Sequence, residues 1–347
     1  MKAWRVARHG GPEVLEHVDV KDPVPGPLEV KIRVDAVGLN HLDIWVRKGV
    51  PGHQFPLPMI PGCDVAGSIV EFGELGPGVE SIPGFSKGTE VLVNPGLSCG
   101  CCEACLSGLD PLCKDYGILG ETRDGACADF VVVPITNLVA RPKNMSAAQA
   151  ASLPIPFLTA YTMLTRKAEL RPGELALIQA GGSGVSIAAI QIAKLLGAEV
   201  ITTVGSDAKI EKARALGADH VINYRKENFR DAVKKISPRG VDVVIDHVGQ
   251  TTFVDSLRCL ALGGRLATCG ATSGAEIKLN LNAIFFKNIS ILGSTMGSKG
   301  DLIRIVDLVA RGKLKPVIDS EFSMSELPGA HARLESREAF GKVVVTH

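Results

Sequence analysis

Net charge is nearly absent from this chain. Over 347 residues, 38 lysines and arginines stand against 37 aspartates and glutamates, a formal charge of +1. That balance argues against a broad basic face for nucleic acid and against an acidic tail, while leaving room for a local basic pocket. Long apolar runs are also missing. No stretch approaches the roughly 20 uninterrupted apolar residues that a spanning helix needs. The opening Met1-Lys2-Ala3-Trp4-Arg5 has neither an apolar run nor a small-residue cleavage signature, so no secretory leader is expected. No internal repeat or low-complexity segment stands out. These absences point to a cytoplasmic protein with no membrane or nucleic-acid partner, acting on small molecules.

Apolar residues make up 46% of the chain, enough for sizeable cores, and the length suits two domains. The first half is rich in Gly and Pro and reads as short strands. Val30–Val37 alternates as VKIRVDAV, and Ser68–Glu71, Glu90–Val93 and Ala128–Val133 follow. The pattern changes near Ala147, where Ser146 caps a helix. A second helix is expected over Leu158–Leu170. Apolar strands then alternate with helices. Strands fall at Leu175–Gln179, Val200–Val204, Val221–Ile222, Val241–Ile245, Gly264–Thr268 and Ile289–Gly293, with helices at Gly184–Leu196, Asp207–Leu216, Phe229–Ile236 and Phe253–Leu260. That rhythm predicts βαβ units and a parallel sheet covered on both faces. A helix Asp301–Arg311 follows, and the last strand, Lys342–Thr346, resembles the early β region, to which the tail is expected to return.

The strand Leu175–Gln179 runs into Ala180-Gly181-Gly182-Ser183-Gly184-Val185-Ser186 and then a helix. Strand, small-residue turn and helix in one unit form a dinucleotide loop: small residues let the backbone approach a pyrophosphate, and the helix N-terminus stabilises its charge. Aligned on G-x-G-x-x-G, the loop reads Gly181-x-Ser183-x-x-Ser186, with serines at two glycine positions. The same pattern without a ligand would be a tight βαβ turn. NAD sites place Asp or Glu at the end of the next strand to bond the ribose 2′-hydroxyl. That turn holds Gly205-Ser206 instead, and Asp207 opens the next helix. Ser206 and Lys209 can meet a 2′-phosphate, so NADPH is expected over NADH.

Among nine cysteines, Cys99, Cys102, Cys105 and Cys113 follow C-x2-C-x2-C-x7-C. In a reducing compartment such a cluster reads as metal ligands rather than disulfides. Four thiolates suit one closed tetrahedral zinc site, which is structural because it keeps no open position. Pro95, Gly96, Gly100 and Gly108 supply the turns of a lobe spanning about 95–115.

Together these features resemble the medium-chain dehydrogenase/reductase superfamily, the zinc alcohol dehydrogenase and quinone reductase relatives. Gly10-Gly11-Pro12-Glu13-Val14-Leu15, Gly38-Leu39-Asn40-His41-Leu42-Asp43, Pro61-Gly62-Cys63-Asp64-Val65-Ala66-Gly67, Thr159-Ala160-Tyr161 and Gly341-Lys342-Val343-Val344 also fit. The resemblance implies an α/β chain with two parts. A GroES-like, mostly β catalytic domain comes from residues 1–151 and 297–347, and a doubly wound Rossmann domain from 152–296 is inserted in it, the substrate cleft lying between them. It also implies a homodimer or homotetramer. The catalytic-zinc pattern departs from the family at every ligand position. Metal-dependent alcohol dehydrogenases carry Cys at Asn40, His-Glu at Cys63-Asp64 and a third ligand near Ile155, and their proton relay falls at Leu42 and Trp45. His41, Cys63 and Asp64 are metal-capable types that leave a shifted second zinc open. Bland roles stand beside it: His41 on a pyrophosphate, Cys63 as a small buried hydrophobe, Asp64 as a structural hydrogen-bonder.

These departures favour an NADPH-dependent reduction of an activated C=C bond in an enone, quinone or enoyl thioester such as an enoyl-CoA. Hydride goes to the β-carbon, and charge develops on an oxygen that hydrogen-bond donors can stabilise without a metal. Asn40 and His41 are the expected donors, with His41 or water as the proton source. Arg47 and Lys48 suit an anionic substrate or a solvated turn. The alternative is an alcohol or aldehyde dehydrogenase with a rearranged catalytic zinc. A third class, a crystallin-like or NADPH-sensing protein, would bind NADPH without turnover.

Overall fold

The computed structural model describes residues 1–347, and they divide into two units, Met1–Ile155 with Gly297–His347 and Pro156–Met296. The first boundary expected from sequence falls four residues too early. The helix Ala147–Ala151 packs on the first unit, and Ile155 N–H still bonds Asp64 there. No helix is long and apolar enough to cross a membrane.

The first unit is built on the strand Glu29–Gly38, in which Val30, Ile32, Val34 and Ala36 are buried on alternate positions. Side chains with period two place one face in a core. This strand pairs antiparallel with Asp64–Phe72, Phe130–Pro134 and the C-terminal Lys342–Thr346. Ile318–Ser323 extends the sheet beyond Lys342–Thr346, and Glu90–Val93 and Leu138–Ala140 extend it on the other side. Gly67 needs to be glycine, because a Cβ would lie 2.1 Å from the Arg33 carbonyl across the bulged register. A hairpin, Lys2–Val6 with Leu15–Asp19, and the helices His41–Lys48 and Leu327–Glu335 were not expected from sequence. The helix His41–Lys48 starts with the Asp43 carboxylate accepting from Asn40 N–H at 2.7 Å.

The second unit carries a six-stranded, wholly parallel sheet. Its order is His220–Asn223, Glu199–Val204, Leu175–Ile178, Val241–Ile245, Leu260–Thr268, Ser290–Gly293. In chain order that is 3-2-1-4-5-6, the doubly wound arrangement expected from sequence, with the switch point between Leu175–Ile178 and Val241–Ile245. Leu177, Ile201, Val244 and Leu266 fill its core. The helix expected at Leu158–Leu170 is instead an α-helix, Pro154–Tyr161, passing into a wider π segment, Thr162–Lys167, where Thr165 Oγ1 donates back to Tyr161 O at 2.7 Å. Asp207–Leu216 splits into a 3-10 turn, Asp207–Lys209, and the helix Ile210–Ala215.

Candidate functional site

Three clusters bear on function. The first is the cysteine lobe. Gly100 and Gly108 take positive φ, 75° and 69°, and turn the chain around the short helix Glu103–Leu106. Cys102 and Cys105 flank or sit on that helix, and Cys113 follows the turn Asp110–Leu112. The sulfurs of Cys102 and Cys105 are 3.5 Å apart, those of Cys99 and Cys113 3.6 Å, and those of Cys99 and Cys105 3.9 Å. A tetrahedron with Zn–S arms of about 2.3 Å has edges of about 3.8 Å, so the four thiols fit zinc. Backbone N–H groups of Cys101 and Cys102 point at Cys99 Sγ and pull its pKa down to about 6, favouring the thiolate a metal needs. The lobe is tied to the body by Asn137 Nδ2, which donates to Asn94 O and Gly96 O, and by Asp110, which accepts from Lys299 N–H at 2.7 Å.

The second cluster lies where Asn40, His41, Cys63 and Asp64 were singled out. Lys342, from the last strand, reaches it. Its Nζ donates to Leu39 O at 2.7 Å, Asn40 Oδ1 at 2.7 Å and Asp64 Oδ2 at 3.1 Å, and the pair with Asp64 is buried, 6% and 0% exposed. Asn40 Nδ2 donates to Gly38 O at 3.1 Å and Asp64 Oδ2 at 2.9 Å. Asp64 Oδ1 accepts from Ile155 N–H at 2.9 Å. Burial pushes the Asp64 carboxyl up, against the pull of the Lys342 ammonium and the donors from Asn40 and Ile155.

Two expectations are corrected here. Asn40 is not an available donor to a substrate oxygen, because both amide hydrogens are already used inside the protein. The ligand atoms of His41, Cys63 and Asp64 are not gathered as a metal-ligating group, whereas those of the four cysteines lie within 4.8 Å of one another. Cys63 is fully buried, its thiol faces Asp43 Oδ1 at 3.6 Å, and burial raises its pKa well above the ordinary thiol value. Asp64 has its oxygens committed to Ile155, Asn40 and Lys342. His41 is the half-exposed residue of this set, first in its helix and edge-on to Trp45 with ring centroids 6.4 Å apart. Asp43 is bonded by the N–H groups of Asn40 and Gly62, and its burial raises its pKa to about 6.

The third cluster is the glycine loop at the carboxyl end of Leu175–Ile178. Gly181 must be glycine: a Cβ would lie 2.4 Å from Thr202 Oγ1 on the next strand. Ala180 N–H donates to Thr203 Oγ1 at 3.0 Å and Gly181 N–H to Thr203 O at 2.7 Å, fixing the turn. Ser183 caps the helix Gly184–Leu195, its Oγ accepting from Ser186 N–H at 3.1 Å. Gly182, Ser183, Gly184 and Val185 remain half-exposed at the helix N-terminus, the position that suits a pyrophosphate.

At the end of Glu199–Val204, Ser206 begins the turn holding Lys209. The structure adds residues that sequence reasoning missed. Strand register sets Val204 beside Asn223, so Tyr224, Arg225 and Lys226 lie next to Gly205–Lys209. A Cβ on Gly205 would stand 2.5 Å from the Tyr224 hydroxyl, and Asp207 is taken by Asn223 Nδ2 and Lys226 Nζ. The sheet order was the available signal, since parallel neighbours end at the same level.

Comparison with known proteins agrees with this architecture. Residues 26–143 match the alcohol dehydrogenase GroES-like domain and residues 184–311 the zinc-binding dehydrogenase family. The chain is 32% identical to an NAD-dependent alcohol dehydrogenase of Saccharolobus solfataricus, over 99% of both chains. It is 35% identical to an acryloyl-coenzyme A reductase of Sulfurisphaera tokodaii, over 94% of this chain and 95% of that one. A solved NAD-dependent alcohol dehydrogenase superposes with a TM-score of 0.94 at 48% identity, over all of both chains. With both family models matched in order, and full-length relatives above 30% identity, the chain belongs to the medium-chain dehydrogenase/reductase superfamily and is an oxidoreductase.

Proposed function

We propose that the chain is an NADPH-dependent reductase of an activated C=C bond, in an enone, quinone or enoyl thioester such as an enoyl-CoA. The observation that carries this reading is the Lys342 network. The amide of Asn40 and the carboxylate of Asp64, at positions where the resemblance puts the chemistry of an alcohol-oxidising zinc, are bonded to each other and to the Lys342 ammonium. Alcohol oxidation must remove a hydroxyl proton with or before hydride, which zinc makes feasible by stabilising the alkoxide. Leu42 and Trp45, at the relay positions, pass no proton. Conjugate reduction asks for less: a donor to the developing enolate oxygen and a proton for the α-carbon. His41 is the candidate for the donor, at the N-terminus of a helix whose dipole adds positive potential. Asn40 is reassigned as a positioning residue that fixes the backbone entering that helix.

Gly181, Gly182, Ser183, Gly184 and Val185 would hold the dinucleotide pyrophosphate. Bound there, the reduced cofactor supplies the hydride. Ser206, Lys209 and the adjoining Tyr224 and Arg225 support a 2′-phosphate, and Tyr224 fills the space an acid at position 205 would need. Cys99, Cys102, Cys105 and Cys113 would hold one zinc that fastens the lobe. Nine free thiols suit a reducing compartment such as the cytoplasm. The sheet edge Ser290–Gly293, with Ile291 38% exposed and Phe285 and Phe286 exposed nearby, supports a homo-oligomer.

The acryloyl-coenzyme A reductase relative supports the reaction class. A second reading, an alcohol or aldehyde dehydrogenase, is favoured by the 48% identical solved structure. Zinc content per chain and a substrate panel decide between them. One zinc, turnover of enones or enoyl-CoA esters, and indifference to a chelator that spares the four-cysteine site are expected. Chelator-sensitive turnover of ethanol or benzyl alcohol, with none on enones or enoyl-CoA esters, overturns the proposal.

A further inference from the structure

The dinucleotide loop departs from its fingerprint at Ser183 and Ser186, and both hydroxyls converge on one imidazole. His247 Nε2 lies 3.1 Å from Ser183 Oγ and 2.9 Å from Ser186 Oγ. His247 comes from the end of Val241–Ile245, the strand across the switch point from the loop. It is 8% exposed, and Ser186 is fully buried.

Proton accounting sets the direction of these bonds. Ser186 Oγ donates its single hydrogen to Gln179 O at 2.6 Å, so it can only accept from its other neighbours. Ser183 Oγ donates to Ser186 Oγ at 3.0 Å and accepts from Ser186 N–H. Neither hydroxyl has a hydrogen left for the imidazole. Nε2 therefore carries the proton and shares it between the two oxygens, as a neutral ring whose charged form burial disfavours. Ser183 caps the helix Gly184–Leu195 by accepting from Ser186 N–H, so both serines lie in the first turn, the part of a helix that suits a pyrophosphate. In the glycine fingerprint, the second and third glycines let backbone and helix pack closely without side chains. This chain has side chains at both places and a third residue that holds them still.

We propose that His247 is a positioning residue for cofactor binding. By donating through Nε2 to Ser183 and Ser186, it holds the loop Gly181–Ser186 and the first turn of the following helix in the geometry that receives the dinucleotide pyrophosphate. This rests on the reading that the loop holds the dinucleotide, and the experiment separates the two. NADPH is titrated against the full-length protein by fluorescence, and kcat and KM for NADPH are measured alongside. Gly184→Asp tests the site: an acid at the first helical position suits the helix but repels a pyrophosphate, so NADPH affinity is expected to fall at least a hundredfold, roughly the worth of a charge contact.

His247→Phe is expected to raise Kd and KM for NADPH about tenfold, the worth of roughly one buried hydrogen bond, with kcat at saturating NADPH within about threefold. His247→Gln, which can place a donor near the Nε2 position, is expected to recover most of the loss. In a Ser183→Gly, Ser186→Gly background, which restores the glycine fingerprint, His247→Phe is expected to change Kd by less than about twofold, because the coupled partners are gone. If Gly184→Asp leaves affinity unchanged, the loop does not hold the cofactor and the assignment falls with it. If Gly184→Asp abolishes binding but His247→Phe does not weaken it, or weakens it equally in both backgrounds, the role of His247 alone is overturned. Should His247→Phe fail to unfold cooperatively, Ser186→Ala carries the test. It must raise Kd, and adding His247→Gln must raise it no further; an unchanged Kd in Ser186→Ala overturns the role.

Discussion

Two places in the first unit gather metal-capable side chains, and they are built in opposite ways. The cysteine lobe gathers four soft donors within fifteen consecutive residues, with sulfur spacings that match a tetrahedral ion. The Asn40–Asp64 region gathers hard donors and then uses them up internally, with Lys342 supplying the positive charge. Thiolates crowded together need cationic charge to offset their repulsion, and four of them have more negative charge than the nearby Lys299 ammonium can offset. A carboxylate already paired with an ammonium, an amide and a backbone N–H has no such need. The first arrangement is open to a metal by its chemistry, and the second is closed by its own bonds.

The largest effect is expected at the lobe. Cys102→Ser should lower zinc per chain from one to near zero, and thermal stability should fall with it, because metal binding and local folding are one equilibrium. Full zinc content in Cys102→Ser, measured by metal analysis, would break this half of the comparison. Next is Lys342→Met, which strands the Asp64 carboxylate in a dry interior. A loss of about 3–5 kcal/mol in denaturant unfolding is expected, and Lys342→Met with Asp64→Asn should recover a large part of it. A loss under about 1 kcal/mol in the single variant would show that the network is not what closes the region.

His331 sharpens the contrast, because it is buried polarity with neither metal nor ion pair. Neither ring nitrogen has a protein partner, and burial, aided by the neighbouring Arg47 guanidinium and opposed by Glu335, lowers its pKa to about 3. The unfolded chain, titrating near pH 6.5, then binds a proton the folded chain refuses. Stability is complete above about pH 6.5 and declines as pH falls from there toward 3, by up to an order of 4 kcal/mol. The raised pKa of Asp43 acts with the opposite sign between its ordinary value and about 6, so the measurement is the difference between wild type and His331→Leu. A slope equal in both proteins between pH 6.5 and 4 rules out the His331 contribution.

The smallest expected effect concerns the lysine in the turn after Glu199–Val204. Lys209→Ala should weaken NADPH about ten- to a hundredfold, roughly 1.5–3 kcal/mol, and leave NADH nearly unchanged. Wild-type protein that binds both cofactors equally would remove Ser206 and Lys209 from the phosphate site.

The legible features were those written in short windows. C-x2-C-x2-C-x7-C marks a convergent cluster because a loop of that length brings its four sulfurs together. Leu175–Ser186 shows its strand, turn and helix because side-chain periods of 2 and 3.6 are local properties. The parallel sheet follows from alternating strands and helices, while its order, 3-2-1-4-5-6, is read from the structure. The alternation of Val30–Val37 marked a strand but not its partners. The helix His41–Lys48 went unseen because it sits in the Gly- and Pro-rich half of the chain, where short strands and turns set the pattern, with Gly38 before it and Gly49-Val50-Pro51-Gly52 after it.

By itself, the sequence determined the superfamily, the parallel sheet, the cysteine cluster and the glycine loop. The tertiary structure alone decided how the remaining site residues are used. Asn40 reads as a free amide until Lys342, 302 residues away, is brought to 2.7 Å from its oxygen and Gly38 O and the Asp64 carboxylate claim its hydrogens. Gly205 reads as a neutral turn until strand register sets Tyr224 over it, and Ser183 and Ser186 read as imperfect glycines until the switch point delivers His247. The physical reason is common to all three. A hydrogen-bonding group has a fixed number of donors and acceptors, and whether any remain for a ligand depends on every partner that folding brings within about 3 Å, most of them far away in the chain.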